Sequence, residues 1–301
     1  MGRDAFWHLH DLIAADAAFQ STANRPQRPV RYQLATFLCR VGAETAVKTA
    51  SVMAVAEGSV YNYVQCVIGA IRRLRSDYLP WPGEARRHFI SEKFAEQGFP
   101  GCLGTADGCL FRLTNQPLVN PYAYWCRKKF YAVSLIMQAT VDHRGVFTLH
   151  ELGWPGFVQD SWGYPLTKFT IRPFNDYDLT LNPVEARRRK KWNRQLSCMR
   201  IFVEHGFGRL KGRFPILRCI PSRHLGEAYK MIESLMIVHN ILEVIGDDPY
   251  TITGFTGSGG EQEVTDSTVE VAERDADLEG DDFYRTGLLR RKLLMDKYSM
   301  F

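Results

Sequence analysis

Residues 130–141, FYAVSLIMQATV, form an almost unbroken apolar and β-prone run. Such a run reads as a strand buried on both faces, so the chain must place cover on both sides of a sheet. The neighbouring segments supply its partners. Residues 102–113, CLGTADGCLFRL, read as a strand bracketed by the breakers Pro100-Gly101 and Asn115-Gln116-Pro117. Asp142-His143-Arg144-Gly145 has Asp first and Gly fourth, the composition of a type I turn, and residues 146–152 return as a third strand. The spacing predicts an antiparallel meander of three consecutive strands.

Alternate residues of a strand share a face. Asp107 therefore stands in line with Leu103, Thr105, Cys109 and Phe111. A carboxylate in an apolar row needs compensation, and a metal ion would provide it. A polar residue at a strand end or in a turn is the plainer alternative.

Ahead of the strands lie helical patterns. Residues 1–29 make an opening segment, amphipathic over 6–19 and then polar with Pro26 and Pro29. A helix is expected over 31–41, ended by Gly42, and a shorter one over 45–55. Glu57-Gly58 reads as a turn, and Ser59 as the cap of a longer helix to about residue 77, with Arg72, Arg73 and Arg75 at its far end. That order is the plan of a helix-turn-helix module, here residues 30–98 together with a further helix over 84–97. Contact with DNA and simple packing on a neighbour are both compatible with it.

Beyond the strands, Trp154-Pro155-Gly156 closes the meander, Asp160 follows, and residues 170–185 are loop-like. A long helical region then runs from Glu185 to Phe214, carrying five consecutive cations, Arg187, Arg188, Arg189, Lys190 and Lys191. Val203, Phe207, Leu210 and Phe214 make its apolar stripe. Glu204 sits at the stripe's border, on the face of Arg200, Gly208 and Lys211. It suits a metal ligand in a site for an anionic substrate; pairing with Arg200 or Lys211 on a solvated face is the alternative. An amphipathic helix follows over 225–245, with His239 read as a core or capping histidine. Residues 246–282 hold twelve acids and one cation, Arg274, and read as a disordered acidic linker. Residues 283–301 end the chain with a short basic helix.

Composition narrows the classes. The chain has 301 residues, enough for one large domain or two modest ones. None of its seven cysteines forms a CxxC pair, which argues against a zinc site. No apolar run reaches membrane-spanning length, and the start lacks a signal-peptide core, so a reducing intracellular compartment and no membrane partner are expected.

Three carboxylates stand out: Asp107, Asp160 and Glu204. Two divalent ions held by such a set can activate a nucleophilic water or hydroxyl and stabilise the leaving oxygen of a phosphodiester. Mg²⁺ takes few ligands from protein because substrate phosphates supply the rest. A polyanionic substrate also needs cations, and Arg127, Lys128, Lys129, Arg187–Lys191 (all five), Arg209, Lys211 and Arg213 are there to provide them. The five-cation run also reads as a nuclear-import signal.

These pieces resemble the PIF/Harbinger class of transposases and their host-domesticated nuclease relatives, within the DDE superfamily endonucleases. The similar segments are the Thr105-Ala106-Asp107-Gly108 stretch, Tyr124 through Arg127-Lys128, Val141-Asp142 with Gly145, Trp154-Pro155-Gly156 with Gln159-Asp160-Ser161, Gly163-Tyr164-Pro165-Leu166, Val203 to Gly208 with Leu210-Lys211 and Arg213-Phe214, and His239-Asn240. The likeness spans roughly residues 30–245. It implies an α/β fold of RNase H type, a mixed sheet flanked by helices, in a nuclease domain over 99–245 behind the helix-turn-helix-like part. It further implies a divalent metal, Mg²⁺ or Mn²⁺, a nuclear setting with the cytoplasm as a second compartment, and DNA as partner; a separate DNA-binding partner protein is a further expectation. It places the first acid at Asp107 and the third at Glu204.

The second acid departs from the pattern. The family usually shows two Asp-Ser elements here, the catalytic one ending a further apolar strand just before Gly-Tyr-Pro-Leu. This chain has a single Asp160-Ser161, then Trp162 and Gly163, with no apolar strand after Gly156. An internal segment near residue 160 reads as missing, and Asp160 is either the surviving first element or a fused substitute. Two functions are therefore expected as alternatives: a metal-dependent DNA endonuclease using Asp107, Asp160 and Glu204, or a DNA- or protein-binding relic that lacks the chemistry. A helix-turn-helix regulator would leave residues 100–245 unexplained.

Overall fold

The computed structural model describes residues 1–21, 26–126, 129–149, 154–155, 166–167, 169–174, 182–251 and 282–298. It is an α/β molecule with a small antiparallel sheet. The amino-terminal helices are α1 (Arg3–Ile13), α2 (Val30–Val41), α3 (Ala46–Met53), α4 (Glu57–Arg73), the single turn α5 (Arg75–Tyr78) and α6 (Glu84–Ala95). The strands are β1 (Thr105–Arg112), β2 (Ala132–Val141), β3 (Phe147–Leu149) and β4 (Trp154–Pro155). Three helices follow: α7 (Pro183–Arg213), α8 (Leu225–Val244) and α9 (Asp282–Tyr298).

Local chemistry explains most boundaries. Thr45 caps α3, its side chain accepting from the Lys48 amide at 3.1 Å, and Asn182 caps α7 by accepting from Val184 and Glu185. The chain turns between α3 and α4 earlier than expected. Ala54, at φ 50°, makes the left-handed turn, so Gly58 is not needed for it and lies inside α4. Glu57 opens that helix in place of Ser59, with its carboxylate near the positive end of the helix dipole. The long helix also breaks at Leu74, leaving Arg75–Tyr78 as a separate turn.

The meander is present. β1 pairs antiparallel with β2, and β2 with β3, across a turn in which the Gly145 amide donates to the Asp142 carbonyl at 3.0 Å. β4 also pairs antiparallel with β2. Every ladder among the described residues is thus antiparallel, where a mixed sheet was expected; the parallel contribution there is an isolated bridge, Leu113 to Ile220. The segment around residue 160, where the sequence pattern lacks a strand, lies outside the described residues. Ala132 and Val133 are adjacent, hence on opposite faces of β2, and both are fully buried, so at this end the strand has cover on both sides.

α7 lies across β1 and β2 and packs tightly on the sheet at Gly206, where a β-carbon would meet both methyls of Val141 at 3.3 Å. α8 packs on α4 and on α7. One hydrophobic cluster runs through all of these, including Leu9, Phe37, Val60, Ile71, Phe111, Phe147, Phe207, Leu235 and Ile241. Polar ties cross the same boundary. Asn240 on α8 donates to the carbonyls of Tyr78 and Phe147 and accepts from the Phe147 amide. The arginines at the end of α4 and the start of α5 are paired while staying partly exposed: Arg72 and Arg75 with the buried Glu233 of α8, and Arg73 with Asp16.

Candidate active site

Asp107 sits where the β1–β2 ladder is irregular. Asp107 pairs with Ala139 but Cys109 with Leu135, so two residues of β1 are matched by four of β2. Such interruptions re-aim side chains. Cys109 and Phe111 go into the core, while the Asp107 carboxylate, 14% exposed, turns towards α7. Its Oδ1 accepts from the Gly108 amide at 2.9 Å, and its Oδ2 accepts from Arg200 Nη2 at 2.9 Å. Two residues back on β1, the buried Thr105 hydroxyl has no hydrogen-bond partner among the described residues.

α7 explains why Arg200 is there. Trp192, Met199, Val203, Gly206, Phe207 and Leu210 are its buried face. Arg200, Glu204 and Lys211 recur at helical spacing on the flank that meets β1. Lys211 Nζ donates to the Leu110 carbonyl at 3.1 Å, with the ammonium 5.3 Å from the Phe111 ring centre. Glu204, one turn after Arg200, is exposed and has no ion pair among the described residues. The sequence pointed to Arg200 as a possible partner of Glu204. The structure gives it to Asp107 instead, a long-range pairing that no local spacing signals.

Asp107 therefore meets α7 at Arg200, one helical turn before Glu204. Asp160, Arg127 and Lys128 lie outside the described residues. Among the described residues no group of three or more His, Cys, Asp or Glu could hold a metal. The chemistry of the two acids still fits a hard divalent ion: both are oxygen donors, and the Thr105 hydroxyl, without a partner among the described residues, stands on the same strand as Asp107.

The expected cations divide into two sets. Arg209 donates to Glu243 at 2.9 Å and to the Arg144 carbonyl at 2.5 Å, and Arg213, its side chain 2% exposed, pairs with Asp247 and Glu243. These two arginines brace α7 against α8 and the turn after it. Arg188 pairs with Glu185 and Asp296, and Arg189 with Glu185 while stacking on Phe174. Arg187, Lys190 and Lys191 are exposed, as is Lys129. Arg194, also exposed, follows them at the same helical spacing but lies outside the run of consecutive cations, so the sequence pattern does not single it out. Arg187, Lys190, Lys191 and Arg194 form one solvated face of α7.

The other singled-out groups are structural. His239 is fully buried, its Nε2 3.1 Å from the Gly145 carbonyl oxygen and its ring against Phe147. Burial lowers its pKa to about 3. Asp142, also fully buried, accepts from the amides of Arg144 and Val146 and from Arg86 at 2.6 Å, which fixes the β2–β3 turn.

Residues 161–240 match the family described as DDE superfamily endonuclease. The chain is similar to that family over α7 and most of α8. The match contains Glu204, Arg200, Lys211 and His239, and suggests a transposase-derived nuclease with an RNase H-like fold. Asp107 and Asp160 precede it. No curated protein and no solved structure gives a match.

Proposed function

We propose that this protein is a divalent-metal-dependent DNA endonuclease of transposase origin, of the PIF/Harbinger class, acting in the nucleus. The observation that carries the reading is the junction of β1 and α7, which turns Asp107 towards the helix that bears Glu204, within and beside the endonuclease-like segment. Asp107 and Glu204 would hold Mg²⁺ or Mn²⁺, with Asp160 as the third acid. When bound, the metal supplies water activation and charge neutralisation at the leaving oxygen. The protein's own part is orientation. The Gly108 amide fixes one oxygen of Asp107, and Lys211 is pinned along β1. Lys190 and Lys191 lie about 20 Å along the helix axis from Glu204, about six base pairs of duplex. The exposed face of α7 thus grips phosphates well away from the bond being cut.

A second reading is a DNA- or protein-binding relic. Both oxygens of Asp107 already accept hydrogen bonds, one from the Arg200 guanidinium, so the carboxylate is compensated without a metal ion. Incubating the full chain with end-labelled duplex DNA in Mg²⁺, Mn²⁺ or EDTA separates the two. Cleavage that requires the cation supports the nuclease; tight binding with intact DNA in every condition supports the relic.

A further inference from the structure

We infer that Arg200 is a built-in counter-ion that holds the Asp107 carboxylate in the cation-free chain and competes with a divalent ion for it. The inference rests on the metal-nuclease reading above. Asp107 is only 14% exposed on its side chain, and a carboxylate that far from water is costly without a compensating charge. Arg200 supplies it, with Nη2 2.9 Å from Oδ2. The guanidinium occupies the oxygen that a metal would take, since Oδ1 is already committed to the Gly108 amide.

The Arg200 side chain is 40% exposed and comes from a long flexible stem on the edge of α7, so it can leave without disturbing the core residues Met199 and Val203. Glu204, one turn away, becomes a second oxygen donor once the cation is in place. The pair thus sets a threshold: the ion enters only when its attraction for two carboxylates exceeds that of one guanidinium for Asp107.

The test is direct binding of Mn²⁺ to the full chain without DNA, followed by the loss of the free-ion electron paramagnetic resonance signal. Arg200→Gln removes the charge and keeps a hydrogen-bond donor. It is expected to bind Mn²⁺ at least about tenfold more tightly than the unmodified chain, equivalent to about 1.4 kcal/mol of removed competition. Arg200→Lys, which keeps the charge, is expected to stay near the original affinity, and adding Asp107→Asn to Arg200→Gln to abolish the gain. If the original chain binds Mn²⁺ and Arg200→Gln binds it equally or more weakly, the counter-ion role is wrong while the metal reading stands. If none of the folded proteins binds Mn²⁺, both fall together. Should Arg200→Gln fail to fold, equal affinity of Arg200→Lys and Arg200→Met would overturn the proposal in its place.

Discussion

A methyl group at position 145 would lie 1.6 Å from Arg209 Nη2, and the backbone there has φ 88°. Gly145→Ala must therefore both strain the turn and expel the arginine that braces it. It is expected to lower stability by about 1–3 kcal/mol, read from denaturant midpoints. Close by, His239 makes stability depend on pH. Its folded pKa, about 3, lies below the ordinary histidine value, so between those values the unfolded chain binds more protons. Its contribution is complete above about pH 6.5 and is lost as the pH falls towards 3, at about 1.4 kcal/mol per unit. His239→Gln is expected to flatten the stability profile across that window; an unchanged slope would assign the acid sensitivity elsewhere. At this scale the sequence showed what periodicity can show. Asp107 stood out in an apolar row and Glu204 at the border of one, whereas Arg200's choice between Glu204 and Asp107 depends on how helix and sheet meet.

The long helix α7 combines two jobs on different faces, and the run of five cations hides that division. Arg188 and Arg189 are tied to Glu185, Asp296 and Phe174, while Arg187, Lys190 and Arg194 face solvent. Neutralising Arg187, Lys190 and Arg194 together is expected to weaken duplex binding at every sequence tested. It should also reduce the slope of log K against log salt by about 3, near 0.9 per lost phosphate contact. Neutralising Arg188 and Arg189 should cost stability and leave the slope in place; fluorescence anisotropy across a salt series measures both. The helix itself was legible from its apolar stripe, but a charge run in one dimension does not say which members point outward. The start of α4 was missed for a similar reason: Gly58 invited a turn, while the chain used Ala54.

On the scale of the whole molecule, α1–α5 and the helices behind the sheet share one hydrophobic cluster, crossed by Asn240 and by the pairs from Arg72 and Arg75 to Glu233. Thermal or denaturant unfolding should accordingly be a single transition for both parts, followed by far-ultraviolet dichroism and by tryptophan fluorescence. Two separated transitions would mean that the shared cluster does not couple them. Composition and motif order place a boundary near residue 98 because they report element type; the hydrophobic cluster that spans that point joins residues far apart in sequence, which no local pattern signals. What the central claim requires is narrower: that the acid on β1 and the acid on α7 serve one reaction. Glu204 is the cleaner of the two to remove, being exposed and without an ion pair among the described residues. The decisive measurement is the initial rate of supercoiled plasmid nicking in Mn²⁺ by the unmodified chain, Glu204→Gln and Asp107→Asn. The predicted result is nicking that either substitution lowers about a hundredfold or more, with binding of the plasmid retained. Nicking that survives both substitutions would contradict it.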